Sequence, residues 1–376
     1  MLKNRKIWNV GYFLLAFMAF ISVAQGLNNA LIYSQDFQWS PSVLFWDGIN
    51  PYNYYLNGNE ENRIILSQAP NYLHSTYIFL YPFTLLDWES AKVLWALSSL
   101  LFAVISVWFL CHTAGCTFYE TLFVACIFFC STPLRNSIGS GQHSTLVLLA
   151  FCGFFLKRGW LGDLSIGFGF FKYSFMPPLF LYLFFVKGIK SFAFLIIPSV
   201  IGWLAFSIYI GSSPFETLML PLKVSSYAVS NGLGDLMTIL ALLANNFDSV
   251  ALRALSYLMP VALSFLFAYY LSKNPSEPLY IFSIISVSSL ILFKHLAYDY
   301  VFLLPAFIYA LKSHFSRESG FALAVILFNW FGLKFIHHIF LISNEDMLPI
   351  NFILLLSLVL VLMRIRIKED SLLNSI

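Results

Sequence analysis

Long apolar stretches alternate with short polar ones along almost the whole chain. Apolar runs recur between residues 8 and 363, and many approach the length of about 20 residues that spans a bilayer core as a helix. The longest polar interval covers residues 25–71 and lies between two strongly apolar segments. The pattern predicts an all-α, polytopic integral membrane protein of about twelve transmembrane helices, whose outer first loop carries short interfacial helices.

The composition supports this class of protein. Hydrophobic residues make up 59% of the 376 residues and charged residues 10%, whereas about one-quarter of the residues of soluble domains are charged. The net charge of +3 is small and its basic residues are scattered, so we predict no nucleic-acid partner. The five cysteines lack the spacing of a metal site. We therefore predict one membrane domain over residues 1–376, without a metal or cofactor.

Lysine and arginine indicate the orientation, since cytoplasmic loops carry an excess of them. The basic connections at Lys157-Arg158, 312–317 and 364–368 then lie inside. The outer face receives the first loop and a second outer loop, residues 212–249. We expect the N-terminal apolar run to be an uncleaved first span, and residues 250–376 to form C-terminal helices.

One part of this map stays open. Either residues 72–86 enter and leave the membrane on the outer side, or one of the runs 143–156 and 160–171 does not cross. A helix of about twelve residues is only about 18 Å long, so the second arrangement is feasible. The sequence does not decide between them.

The first loop contains the earliest candidate for catalysis. Asp36 follows the first span by a few residues, which places a carboxylate near the outer membrane surface. Taken alone, it is equally compatible with a solvated loop carboxylate. Asp47 precedes Gly48 and Asn50-Pro51, residues typical of a turn, and we expect it to cap that turn. His74, where the chain re-enters the membrane, is either a substrate-binding residue or a partner for a helix end.

Residues 135–144 form a second polar island. Its glycines allow a backbone to approach a ligand closely, Arg135 is a permanent cation suited to phosphate, and Gln142, followed by His143, offers a donor and an acceptor. An ordinary helix connection has the same composition, so both interpretations remain open.

Two further islands place ionisable residues close to the apolar layer. Lys172 lies between apolar runs, where a charge is costly and typically functional, although it could instead extend to the outer interface. In the segment that begins with Lys294, His295 and Asp299 would share a face of a helix. An aspartate that orients an imidazole is feasible there, as is an internal ion pair between helices.

The order of these islands resembles glycosyltransferase family 87, roughly over residues 30–215. The matching features are an aspartate after the first span, Asn50-Pro51-Tyr52, Tyr72, Ser140-Gly141-Gln142-His143-Ser144, a glycine-rich helix ending in Lys172 and, in the C-terminal half, Tyr298-Asp299 and Pro305. Three positions depart from the family pattern. Tyr-Pro-Pro is Tyr72-Leu73-His74 here, Gly-Gln-x-Asn ends in Ser144, and Lys-Pro is Lys172-Tyr173.

The resemblance implies a GT-C-like catalytic module over residues 1–211 and a multi-pass protein of the inner (plasma) membrane with its active site facing the periplasm. Family 87 enzymes use polyprenyl-phosphate sugars, typically mannose. The resemblance therefore implies an inverting hexosyltransferase, such as a mannosyltransferase, which passes the sugar to a lipid or glycan acceptor among membrane lipids.

The resemblance also implies roles for the candidate residues. Asp36 takes the position of the general base, and the other candidates bind the donor phosphate or the substrate: His74, Arg135, Gln142, His143, Lys172, Lys294, His295 and Asp299. A different class of protein remains an alternative, namely a carrier or flippase for a lipid-linked or small polar solute. Transporters usually show internal repeats, and none is evident between the halves. A scaffold that has lost activity is the third possibility.

Overall fold

The chain folds into helices throughout the part that the computed structural model describes, which is residues 2–58, 68–155, 159–227, 232–313, 316–340 and 344–373. No strand occurs in these ranges, so the all-α prediction is confirmed there. Lys157-Arg158 lies outside the described residues.

The helices are numbered in chain order. The first half contains α1 (Leu2–Tyr33), α2 (Trp39–Trp46), α3 (Pro51–Leu56), α4 (Ser75–Phe79), α5 (Tyr81–Thr84), α6 (Trp88–Thr113), α7 (Phe118–Cys130), α8 (Thr132–Gly139), α9 (Ser144–Phe151) and α10 (Gly159–Phe168). The second half contains α11 (Met176–Ile210), α12 (Pro214–Leu218), α13 (Leu220–Tyr227), α14 (Leu236–Asn246), α15 (Val250–Lys273), α16 (Pro278–Leu292), α17 (Leu304–Lys312), α18 (Arg317–Leu327), α19 (Leu333–Phe340) and α20 (Asn344–Leu373).

Within the described ranges, five helical segments are long and apolar enough to cross a membrane, and a bent helix pair raises the number to six. The five are Val10–Tyr33, Trp88–Thr113, Tyr173–Ile210, Val250–Lys273 and Asp346–Lys368. The bent pair is α7 and α8, which meet at 59°. A multi-pass membrane protein is therefore supported, but the predicted count of about twelve spans is not confirmed.

The count differs because several apolar runs fold as short or broken helices. α14 and α16 are only 11 and 15 residues long. Residues 72–86 contain α4 and α5, of five and four residues, which at about 1.5 Å per residue are far too short to cross. Hydropathy alone registers such segments as candidate spans without revealing where the helix breaks.

The segment after α1 contains two short helices, α2 and α3. Gly48 adopts a left-handed conformation at φ +78° between them. The Asn50 side chain then caps α3 by accepting hydrogen bonds from the backbone N–H groups of Tyr52 and Asn53, at 3.1 and 3.2 Å. α2 packs against α4 and α5, and α3 packs against α13. The segment is therefore folded onto neighbouring short helices.

The centre of the bundle is α16, which is buried along its length from Leu279. It packs against α17, α20, α15 and α11. The 3₁₀ helix Ala297–Leu303 follows α16 and contacts α8 and α9. This packing brings the polar segment around residue 299 against the island at residues 135–144.

Candidate active site

Four polar side chains from distant parts of the sequence meet in one buried cluster, which we call the Asp299 cluster. Lys172 forms an ion pair with the Asp299 carboxylate and donates to Ser144 Oγ at 2.9 Å. Ser144 Oγ in turn donates to Asp299 Oδ1 at 2.6 Å. His295 Nδ1 lies 3.0 Å from Asp299 Oδ2. All four residues are buried, so the carboxylate is enclosed by partners.

Local breaks in the helices position this cluster. Ser144 begins α9, and Lys172 joins the 3₁₀ helices Gly169–Phe171 and Tyr173–Phe175. Asp299 lies in the first turn of its 3₁₀ helix, where its carboxylate also accepts from the Leu296 N–H at 3.3 Å. Each residue therefore lies where the backbone changes direction.

The predicted contact between His295 and Asp299 is confirmed. The prediction that both residues lie on one face of a single helix is wrong. The backbone is extended at Phe293, which ends α16, and again at Leu296, which precedes the 3₁₀ helix. His295 therefore lies in a connecting segment. The two side chains meet because the Asp299 carboxylate caps the 3₁₀ helix that follows.

Aromatic rings cover the Lys172 ammonium. Its Nζ lies 4.7 Å from the centre of the Tyr298 ring and 5.6 Å from that of Phe175. Lys172 is only 7% exposed, so it does not extend to the interface. Burial by itself would raise the pKa of Asp299, but the Lys172 ammonium and the His295 ring hold that pKa below its usual range. Burial lowers the pKa of the Lys172 ammonium, and the Asp299 carboxylate acts against this.

His143 lies beside this cluster in an aromatic enclosure. Its ring is 4.8 Å from Trp95, 4.9 Å from Tyr72 and 5.3 Å from Phe171, between ring centres. Within the described part of the chain, neither ring nitrogen has a hydrogen-bond partner. Burial lowers the pKa of His143 to about 3, and the nearby charge of Lys172 acts in the same direction. The imidazole is therefore neutral.

Asp36 is fully buried, unlike a solvated loop carboxylate. Its Oδ1 accepts from the backbone N–H of Ser40, in the first turn of α2, at 3.0 Å. Burial raises the pKa of Asp36 to about 7, although the hydrogen bonds from Ser40 act against this. Asp47, by contrast, is exposed at the C-terminal end of α2.

Trp95 connects the neighbourhood of Asp36 to that of His143. The Phe37 ring stacks on Trp95 with centres 4.8 Å apart, and the indole N–H donates to the carbonyl of Gly141 at 3.1 Å. The Trp95 ring also contacts His143. Gln142 is also buried there and donates to the Ser140 carbonyl at 3.4 Å.

Two predicted site residues make other contacts. Arg135 donates to Gln25 Oε1 on α1 at 3.3 Å and to Thr132 Oγ1 at 3.4 Å. His74 Nε2 lies 3.1 Å from the carbonyl of Thr217 in α12, which is the helix-end contact left open by the sequence. The contacts with Gln25 and Thr217 connect different helices.

The family model of glycosyltransferase family 87 matches residues 75–294, more than half of the chain. This chain belongs to glycosyltransferase family 87. Family membership makes it a membrane glycosyltransferase, which requires a sugar donor and an acceptor. No curated protein and no solved structure matches the chain.

The family 87 match includes part of the clustered site. Asp36 and His74 precede the matched range, and His295 and Asp299 directly follow it. Ser144 lies inside the matched range and at the centre of the Asp299 cluster. Its hydroxyl contacts both Lys172 and Asp299.

Asp235 is a buried acid that the sequence-based prediction missed. It caps α14, accepting from the Thr238 N–H at 2.7 Å and from Thr238 Oγ1 at 3.0 Å, and it interacts electrostatically with Lys294 and His295. Lys294 itself is half-buried. An acid three residues before a threonine at the start of an apolar run is a helix-capping signal, but only the fold shows that this helix end faces His295.

Proposed function

We propose that this family 87 member is an inverting transferase that moves a hexose such as mannose from a polyprenyl-phosphate donor to a lipid or glycan acceptor. The reaction takes place at the periplasmic face of the inner membrane. The Asp299 cluster is the observation that supports this most strongly. It holds a cation and an imidazole together in a buried place among apolar helices.

The donor phosphate is bound by His295 and Lys172. Asp299 fixes the imidazole through Nδ1, and the other ring nitrogen, Nε2, is buried without a hydrogen-bond partner in the described part of the chain. The phosphate lies within hydrogen-bonding reach of His295 Nε2, and Lys172 supplies a positive charge. Both stabilise the negative charge that develops as the sugar–phosphate bond breaks.

Asp36 is the general base. The acceptor hydroxyl oxygen attacks the anomeric carbon, its proton passes to the Asp36 carboxylate, and the polyprenyl phosphate leaves with the bonding electrons. A base is most effective when its pKa lies near the working pH. Burial brings the pKa of Asp36 to about 7, a value suited to this task.

The sugar binds between these two groups, beside the aromatic enclosure. Tyr72 supplies a ring edge, and Gln142 and the neutral His143 supply hydrogen-bonding groups for sugar hydroxyls. Lys294, near Asp235, supports His295 from the other side. We assign Arg135 and His74 to structural contacts, because both already bond to neighbouring helices.

The direct test is a transfer assay with the purified full-length protein in a lipid extract, given radiolabelled polyprenyl-phosphate sugars one donor at a time. We expect label to enter an acceptor with one hexose donor, and not with the matching nucleotide sugar. Asp36→Asn serves as the inactive control. Two results would contradict the proposal. One is transfer only from a nucleotide sugar, and the other is a folded protein that transfers sugar from none of the polyprenyl-phosphate donors.

A further inference from the structure

An open groove runs between α18 and α20, separated from the Asp299 cluster by α17. It has a volume of about 450 Å³. Its walls consist of Arg317, Glu318, Phe321, Ser357, Leu360 and Val361. Phe321 is 45% exposed and Leu360 60%. Apolar side chains this exposed, in a membrane protein, are suited to contact with an acyl chain.

The charges around this groove are unevenly balanced. Glu318 accepts from Lys368 Nζ at 2.6 Å and pairs with Arg364 Nε at 3.3 Å. Arg317, exposed at the wall of the groove, makes no ion pair with any described residue. Among the described side chains at the groove, Glu318 thus has two cationic partners and Arg317 has no anionic one. The guanidinium of Arg317 remains to attract an anion.

We propose that this groove binds an anionic glycerophospholipid, with an acyl chain along Phe321 and Leu360 and the headgroup phosphate at Arg317. A guanidinium presents a planar set of donors that matches phosphate oxygens. The distribution of basic residues predicts that the end of the molecule with residues 312–317 and 364–368 faces the cytoplasm, where the leaflet carries anionic lipids. The continuous apolar wall beside Arg317 favours a lipid over free phosphate.

The test measures binding of phosphatidylglycerol and phosphatidylcholine with identical acyl chains to the purified full-length protein in detergent, by native mass spectrometry. We expect the parent protein to prefer phosphatidylglycerol. Arg317→Gln should weaken phosphatidylglycerol binding about fivefold, the effect of one basic residue near an anionic surface, and leave phosphatidylcholine binding unchanged. Phe321→Ala should weaken binding of both lipids.

Arg253→Gln is the matched control, since Arg253 is an exposed arginine on α15, away from the groove. It should leave the preference for phosphatidylglycerol intact. Three results would overturn the proposal: equal binding of the two lipids by the parent, an unchanged preference in Arg317→Gln, or the same loss in Arg253→Gln. Displacement of phosphatidylglycerol by millimolar inorganic phosphate would identify a site for free anions instead.

Discussion

The two acids of the first loop differ chiefly in their surroundings. Asp36 is fully buried at the start of α2, whereas Asp47 is exposed at its end. A carboxylate in a low-dielectric place holds its proton more strongly than one in water. Asp36 is the predicted base because it is the earliest carboxylate in the loop, matches the position implied by the family resemblance, and lacks the turn-capping role expected of Asp47. The structure adds a physical reason, because burial brings the pKa of Asp36 to the range in which a base works at neutral pH.

We expect the transfer rate to depend on pH through Asp36. The base must be deprotonated to accept a proton, and burial raises its pKa to about 7. The kcat/KM of transfer should therefore fall as the pH decreases below about 7 and level off above it. A midpoint near 4, the value of an ordinary carboxyl, would contradict this. The residual activity of Asp36→Asn should lack the dependence.

The Lys172–Asp299 pair allows its structural and catalytic roles to be separated. Lys172→Met or Asp299→Asn alone leaves one buried charge without its partner, and each should destabilise the protein by about 3–5 kcal/mol. The double variant removes both charges and should recover much of the melting temperature. Its transfer rate should nevertheless stay at least about 10²-fold below that of the parent, because a cation that stabilises the leaving phosphate is missing.

The measurements are thermal unfolding in detergent and the donor assay, on the same preparations. If the double variant transfers sugar at nearly the parent rate, the pair serves only to hold the helices together. That result would remove Lys172 from the phosphate site.

At the scale of elements, local signals were predictable and helix breaks were not. An aspartate just before an apolar run is a helix-capping signal, and the Asp87 side chain caps α6 by accepting from the Ser90 N–H at 2.9 Å. The turn after Asp47 also formed as expected. The 3₁₀ segments around Lys172 and Asp299 were missed, because an apolar run gives no sign of a break that only packing against neighbouring helices stabilises.

A substitution at Gly141 tests whether close backbone contact between residues 135–144 and the first loop is required. It has φ +66°, and an added Cβ would lie 2.9 Å from the carbonyl oxygen of Gln35. Gly115 is the matched control, with φ +64° and nothing within 4 Å of an added Cβ. Alanine at Gly115 should cost only the backbone strain, about 1–3 kcal/mol.

Gly141→Ala should cost more than Gly115→Ala and should also lower the transfer rate, since it displaces the backbone next to Asp36. Thermal unfolding and the donor assay measure the two effects. Equal melting temperatures and equal rates for both variants would show that this contact is not required.

At the scale of the whole molecule, the sequence predicted the class of protein and singled out three of the four residues of the Asp299 cluster, but not the path of the chain. Lys172, His295 and Asp299 were all candidates because ionisable residues in apolar surroundings are costly. Their meeting with Ser144 requires the fold, since position 144 lies far from position 299 along the chain. The number of spans was the weakest prediction, because length and hydropathy count short buried helices such as α16 as crossings.

The orientation predicted from lysine and arginine can be tested by cysteine labelling. In a variant without the five native cysteines, Asn57→Cys should react with an impermeant thiol reagent added to intact cells, and Ser313→Cys should react only after lysis. Asn57 is exposed in the first loop, and Ser313 follows the last helical residue of α17. Ser230→Cys should also react from outside, although Ser230 lies outside the described residues. Labelling of Ser313→Cys in intact cells would reverse the map.

The most direct measurement of the central claim compares sugar transfer by Asp36→Asn and Asp47→Asn with that of the parent. Asparagine keeps the size of aspartate but cannot take up the acceptor proton. Asp36→Asn should fold and bind the polyprenyl-phosphate donor while its transfer rate falls by about 10² to 10⁴-fold. Asp47→Asn should affect mainly stability. A well-folded Asp36→Asn protein that transfers sugar at nearly the parent rate would contradict the assignment of Asp36 as the base.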